Sequence, residues 1–264
     1  MKLLLITSLL LTLCLYAPLY AVKQASGNSA AAVTVTAVDT VKSLSDCYNE
    51  LNTLIRDGRI PREEAALELK RLLGEIHQQY YLRGGKDYPR SAWVFPLAGY
   101  DSSAIDNGRR HGYSAKGYDF FSGNRHGGHP SFDIFIRDRN QDMLDDRSGR
   151  AVEVLSMTGG IVVAVEKNWE YGSRLRGGNY IWVYDPATEK LLYYAHNNQL
   201  LVNPGDMVKP GDRMATVGRS GFNAAKRRSP THLHLTVLRV IGGRPRPLDI
   251  YEWLRMARTL DTTS

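Results

Sequence analysis

The sequence predicts a mainly β body built on an antiparallel sheet, preceded by an α-helical hairpin. Short β-branched and aromatic runs, separated by Gly, Asn, Asp and Pro, recur from Trp93 onward. Between residues 41 and 85 the apolar residues instead repeat at helical spacing. No long helical pattern interrupts the runs before Asp249, which argues against parallel βαβ units.

In the hairpin, Leu44, Tyr48, Leu51 and Ile55 line one face of a first helix that ends at Asp57-Gly58. Pro61 opens the second helix, and Glu63 and Glu64 sit in its first turn, where the helix dipole favours acids. Its apolar positions are Ala66, Leu69, Leu73, Ile76 and Tyr80, and Gly84-Gly85 stops it. Some 40 residues are too few to hold a hairpin folded alone. It must pack on the rest of the chain, on a second copy or on a partner.

Ahead of the hairpin, residues 1–21 join Lys2 to a Leu-rich run ending Pro18-Leu19-Tyr20-Ala21, which reads as a secretory signal cut after Ala21. An uncleaved anchor is the alternative, because the run just reaches bilayer-spanning length. Leu13 before Cys14 argues against a lipoprotein signal. Residues 22–40 are small and polar, a linker. Export places the chain in the periplasm or outside the cell, with Cys47 as its one thiol, expected buried.

The strands are expected at Asp133–Ile136, Gly160–Val165, Tyr180–Tyr184, Leu191–His196 and His232–Leu238, spanning a body over residues 86–248. Asn203-Pro204-Gly205 and Lys209-Pro210-Gly211 are turns, since Pro presets φ and Gly accepts the positive φ that follows. A C-terminal helix and tail occupy residues 249–264. The 264 residues are 43% hydrophobic and 23% charged, which excludes a disordered or fibrous chain. The net charge of +7 suits polyanionic surroundings, but no aromatic-interleaved basic stripe supports nucleic acid.

Six of the seven histidines follow Trp93. His232 and His234 lie two apart on a strand, so both imidazoles project from one face while Leu233 faces the core. His129 and Asp133, four apart across a loop and a strand start, can converge on one ion, or form an ordinary turn. His196 ends a strand. A carboxylate with two histidines is a complement for catalytic zinc, and an exported chain without cysteine ligands suits hydrolysis. No HExxH, Walker loop or GxSxG is present.

In order, the chain carries Phe95-Pro96-Leu97-Ala98-Gly99, His129-x-x-x-Asp133, Gly159-Gly160-Ile161-Val162-Val163-Ala164-Val165, Gly177-Gly178-Asn179-Tyr180, Tyr194-Ala195-His196, Val217-Gly218-Arg219-Ser220-Gly221 and His232-Leu233-His234. This ordered set resembles the lysostaphin/LytM-type zinc metallopeptidases, which cut peptide bonds in bacterial peptidoglycan. The resemblance implies one Zn2+ held by His129, Asp133 and His234. It implies His196 and His232 as the catalytic pair, and stem or cross-bridge peptides as substrate.

Ser131 replaces a usual Gly, Asn197 a common Leu, and Thr236 a frequent Glu. The alternative to an enzyme is a non-catalytic or latent relative that binds cell wall or activates another wall hydrolase. For that, the hairpin would supply a partner contact or an autoinhibitory one.

Further features carry two readings each. Tyr194 lines the groove or packs as a core aromatic. The acidic stretch Asp138–Asp146 begins like a calcium loop but has Met143 at the glycine position, so a solvated loop is its default. Arg109-Arg110 and Lys226-Arg227-Arg228 flank the motifs as charges for an anionic polymer or for solubility.

Overall fold

A computed structural model describes residues 42–261, so the expected signal (1–21), the whole linker (22–40) and the last three residues of the expected tail lie outside the described residues. Helix α1 (Leu44–Arg56) starts on a capping box, in which the Ser43 hydroxyl accepts from the Asp46 amide and the Asp46 carboxylate accepts from Ser43. Helix α2 (Arg62–Leu82) follows Pro61 as expected.

The strands are β1 (Ser131–Phe135), β2 (Glu153–Leu155), β3 (Gly160–Glu166), β4 (Asn179–Asp185), β5 (Lys190–Leu200), β6 (Met207–Val208), β7 (Arg213–Val217), β8 (His232–Ile241) and β9 (Arg244–Pro247). All pairings between them are antiparallel, in the order β1-β8-β5-β4-β3-β6, with β7 joining β5 to β2 and β9 on β8. Helix α3 spans Tyr251–Met256, shorter than expected, because Arg258 leaves to bond Trp93 and Phe95 through its backbone.

Strand parity divides the apolar side chains between two cores. Phe132, Ile134, Ile181, Val183, Leu192, Tyr194, Leu233, Leu235 and Val237 build the first. The second joins Ile161, Val163, Trp182, Tyr184, Leu191 and Leu238 to the hairpin's Tyr48, Leu51, Ile55, Leu69, Leu72 and Ile76. The hairpin therefore packs on the chain's own sheet, and Cys47 is buried there. Polar ties fix the docking. Asn49 accepts from the Val165 amide (3.1 Å), Arg56 bonds Glu166 (2.7 Å), and Arg83 reaches the Gly205 carbonyl (2.9 Å). The apolar positions that argued for a partner are spent on this contact.

The short strands β2, β6, β7 and β9 were not anticipated. β9 carries Pro245 and Pro247, which a strand tolerates at an edge where no partner needs their missing N–H. The segment between β1 and β2 is tied inward by Asp145, whose carboxylate accepts from the Tyr100 hydroxyl, Arg137 (2.9 Å) and the Ser148 amide (2.9 Å). Burial alone would raise that carboxyl, but these donors outweigh it and hold it at about 2. Asp138 is likewise filled, by the amides of Asp142 (3.0 Å) and Met143 (2.9 Å) and by Thr231 (2.6 Å). Both carboxylates are buried and spent on hydrogen bonds within the protein, which departs from the solvated loop expected of this stretch.

Two stability outcomes follow from this packing. Leu72 is fully buried between hairpin and sheet, so Leu72→Ala should lower the unfolding free energy by about 2–5 kcal/mol, read from urea titration. The Asp145 carboxyl titrates lower folded than unfolded, so its contribution is complete above the ordinary carboxylate range and is lost as pH falls toward 2. In Asp145→Asn, stability measured from pH 5 downward should lose that part of its acid dependence; an unchanged slope would exclude the assignment.

Candidate metal centre

The β1–β8 ladder sets Asp133 opposite His234. Alternation sends Phe132, Leu233 and Leu235 into the first core and brings Asp133, His232 and His234 out on the other face. His129 enters from the turn before β1, clamped by reciprocal backbone bonds with Ser114 (2.6 and 2.7 Å). The Asp133 Oδ1 then lies 2.8 Å from His234 Nδ1, 3.3 Å from His129 Nε2 and 3.7 Å from His232 Nε2. Two overlapping triads result, His129/Asp133/His234 and His196/His232/His234, the donor atoms of each within 4.8 Å of one another.

Backbone carbonyls orient three of the four rings. Nδ1 of His129 faces Gly112 O (3.0 Å), Nδ1 of His196 faces Ser220 O (2.8 Å), and Nδ1 of His232 faces Pro230 O (2.7 Å). A carbonyl can only accept, so each ring carries its hydrogen on Nδ1 and keeps an Nε2 lone pair when neutral. His234 differs, turning Nδ1 toward Asp133. This is how outer hydrogen bonds prepare imidazoles for a metal.

Electrostatics keeps the carboxylate ionised and divides the imidazoles. Burial would raise Asp133, but hydrogen bonds from His129 and His234 and the charges of His234 and His232 hold it well below the usual carboxylate range. Burial lowers His234 despite the opposing pull of Asp133. Burial also works to lower His129, yet its bond to Asp133 prevails and raises it. His196 is driven well down by burial and then by the charges of His232 and His234. One ionised carboxylate beside two imidazoles fits a divalent cation with nitrogen affinity, and the His129/Asp133/His234 triad is the one that contains the carboxylate.

His196 reaches the site by breaking strand parity. Its backbone is left-handed (φ 67°), and its amide donates to Gly177 O (3.0 Å). For a residue with a Cβ that conformation costs roughly 1 kcal/mol. The side chain thereby leaves the face it would share with Tyr194 and meets His232 and His234, ring centroids 4.9 and 5.4 Å away. Tyr194 is the packed aromatic of the two readings, its hydroxyl accepting from the Met157 amide (3.0 Å), and Tyr193 takes the groove.

The three unusual residues also find partners. Ser131 and Thr236 sit opposite each other and share a 2.6 Å hydroxyl bond at the cavity wall. Asn197 is buried at the strand irregularity and donates to Tyr194 O (2.9 Å) and Asn179 O (3.2 Å).

A cavity of ≈ 330 Å³ contains all five predicted side chains. Tyr118, Phe120, Trp182, Tyr193 and Arg176 line it further, and α1 contributes Asn52, Ile55 and Arg56. The hairpin is thus one wall of the cavity. Sequence reasoning missed the carbonyls of Gly112, Ser220 and Pro230, which no side-chain pattern announces. It also passed over Arg176 and Tyr193; the Gly177-Gly178 pair beside Arg176 was the available signal.

Residues 143–247 match peptidase family M23, a span that includes His196, His232 and His234 but not His129 or Asp133. Solved structures give further matches. A putative glycyl-glycine endopeptidase lytM from Ruminococcus gnavus is 21% identical, with 84% of this chain and 91% of that one covered and a TM-score of 0.42. The catalytic domain of the antimicrobial peptidase lysostaphin from Staphylococcus simulans is 23% identical, covering 55% and 90%, with a TM-score of 0.37. A zinc containing peptidase from Vibrio cholerae is 22% identical, covering 62% of this chain but only 40% of that one, with a TM-score of 0.37.

Gly178 has φ +62°, and a Cβ there would lie 2.2 Å from the Ser220 carbonyl carbon. Gly178→Ala should therefore shift residues 218–221, release the His196 ring and lower the melting temperature. Crystallography or the His196 ring resonances would show this, and an unmoved His196 would refute it.

Proposed function

We propose that this chain, which carries a peptidase family M23 domain, is a zinc-dependent endopeptidase that hydrolyses peptide bonds in bacterial peptidoglycan. The observation that carries this reading is the convergence of His129, Asp133 and His234 beside a second histidine pair. Those three residues would hold the ion. Bound there, zinc would supply Lewis acidity toward a carbonyl and acidify a water.

The chain's own residues do the rest. His196 is neutral at physiological pH, and its Nδ1 is committed to Ser220 O, so its Nε2 is the atom positioned to accept a proton. His232, tied through Nδ1 to Pro230 O, offers its Nε2 from the same side of the site. Once protonated, either ring can donate to a developing oxyanion or to the leaving amine. The aromatic walls exclude water from the peptide beside them, which strengthens these interactions. An apolar segment at residues 1–21 supports delivery to the periplasm or beyond, where wall peptides are found.

The decisive comparison is zinc content and muropeptide release by the exported form of the chain beside His129→Ala and Asp133→Ala. One zinc per chain and new peptide ends are expected. Each variant should lose zinc affinity by more than the roughly 10–100-fold typical of an outer-sphere change, with release abolished. Zinc binding without cleavage would leave a wall-binding module; neither zinc nor cleavage would sink the enzyme.

A further inference from the structure

We propose that Arg176 and Tyr193 form a subsite for a carboxylate of the peptide substrate, on the cavity wall beside the metal centre. The substrate being a peptide rests on the preceding reading; the anion preference of the subsite rests on the residues themselves. Asp133 is the one carboxylate among the described lining residues, and it is committed to the imidazoles. Two arginines line the cavity. Arg56 is neutralised by Glu166 (2.7 Å) and Asp57 (2.8 Å). Arg176 has no carboxylate partner among the described residues; its Nη1 donates to the His126 carbonyl (2.7 Å), which leaves most of its five donors. The bland role, holding the 123–128 turn, uses that one bond.

Tyr193 supplies the second donor. Its ring is wedged against Trp182 (centroids 4.5 Å apart) and Tyr180 (5.2 Å), and approaches His234 edge-on at 6.3 Å. Its hydroxyl has no hydrogen-bond partner among the described residues. It abuts Gly177 so closely that a Cβ there would lie 1.8 Å from it, which puts the hydroxyl beside the residue following Arg176. A half-buried guanidinium with spare planar donors and a rigid phenol, in a cavity with no unengaged acid, selects a carboxylate over a neutral amide. The substrate class is then a stem peptide with a free carboxylate, in preference to an uncharged glycine bridge.

The test is calorimetric binding of a synthetic stem tetrapeptide as the free acid, as the C-terminal amide and as the side-chain carboxamide. Wild type should lose about tenfold in affinity on one amidation, which identifies the carboxylate. Arg176→Gln should bind the free acid as weakly as that amide, Arg176→Lys should recover part, and Tyr193→Phe should fall between. In parallel turnover of cross-linked muropeptides, Arg176→Gln should raise KM with kcat little changed, a split that loss of the turn's structure alone would not give. An equal amidation penalty in wild type and Arg176→Gln, no penalty, or no measurable binding overturns the subsite. Arg176-dependent binding without any cleavage overturns the peptidase reading and leaves the subsite standing.

Discussion

The contact between Asp133 and His234 is the constraint around which the site is arranged. A carboxylate placed in a partly buried pocket is costly unless its charge is matched. Here the matching groups are imidazoles delivered to the β1 carboxylate by β8 and by the turn before β1, with Asp133 Oδ1 2.8 Å from His234 and 3.3 Å from His129. The β1–β8 register fixes that proximity, and a one-residue slip would bury Asp133 in the first core and turn Phe132 outward. Register is therefore enforced by hydrophobic packing, and the charged cluster is its consequence.

The second core explains why the sheet needs the hairpin. Ile161, Val163, Trp182, Tyr184 and Leu191 form an apolar surface that β-strands alone leave exposed, and α1 and α2 cover it. The same placement puts Asn52, Ile55 and Arg56 at the cavity wall. Asn52 and Arg56 both bond the Tyr180 hydroxyl, at 2.9 and 3.3 Å, so the helix that completes the core also fixes an aromatic side chain of the groove. Stability and the shape of the cavity are coupled through one helix. That coupling argues against a detachable inhibitory lid.

Much of this was legible in the sequence, for reasons that are local. Period-two patterning told Asp133, His232 and His234 apart from Phe132, Leu233 and Leu235, and helical spacing with Pro61 and Gly84-Gly85 bounded the hairpin. What escaped depends on long-range or backbone effects. β2 and β7 are short and exist through pairing with each other, a contact across some 60 residues of chain. The surface that receives the hairpin is assembled from four strands, so the sequence could state the need for a partner without identifying it. Tyr194 was ambiguous because alternation presumes a regular strand, and the left-handed His196 is not regular.

That irregular residue shows how the fold prepares a proton acceptor. A histidine on a regular strand at position 196 would face the core beside Tyr194. The turn of its backbone, sheltered by the glycines at 177, 178 and 221, places the ring against Ser220 O instead. The Ser220 hydroxyl donates to Asn197 O (2.7 Å) and accepts from the Asn179 amide (2.8 Å), so the carbonyl that orients His196 belongs to a residue itself fixed on both sides. Burial then keeps the ring neutral, and the carbonyl keeps its hydrogen on Nδ1. Strain of about 1 kcal/mol is thus offset by a local hydrogen-bond network, and it leaves Nε2 as the only nitrogen of that ring able to accept a proton.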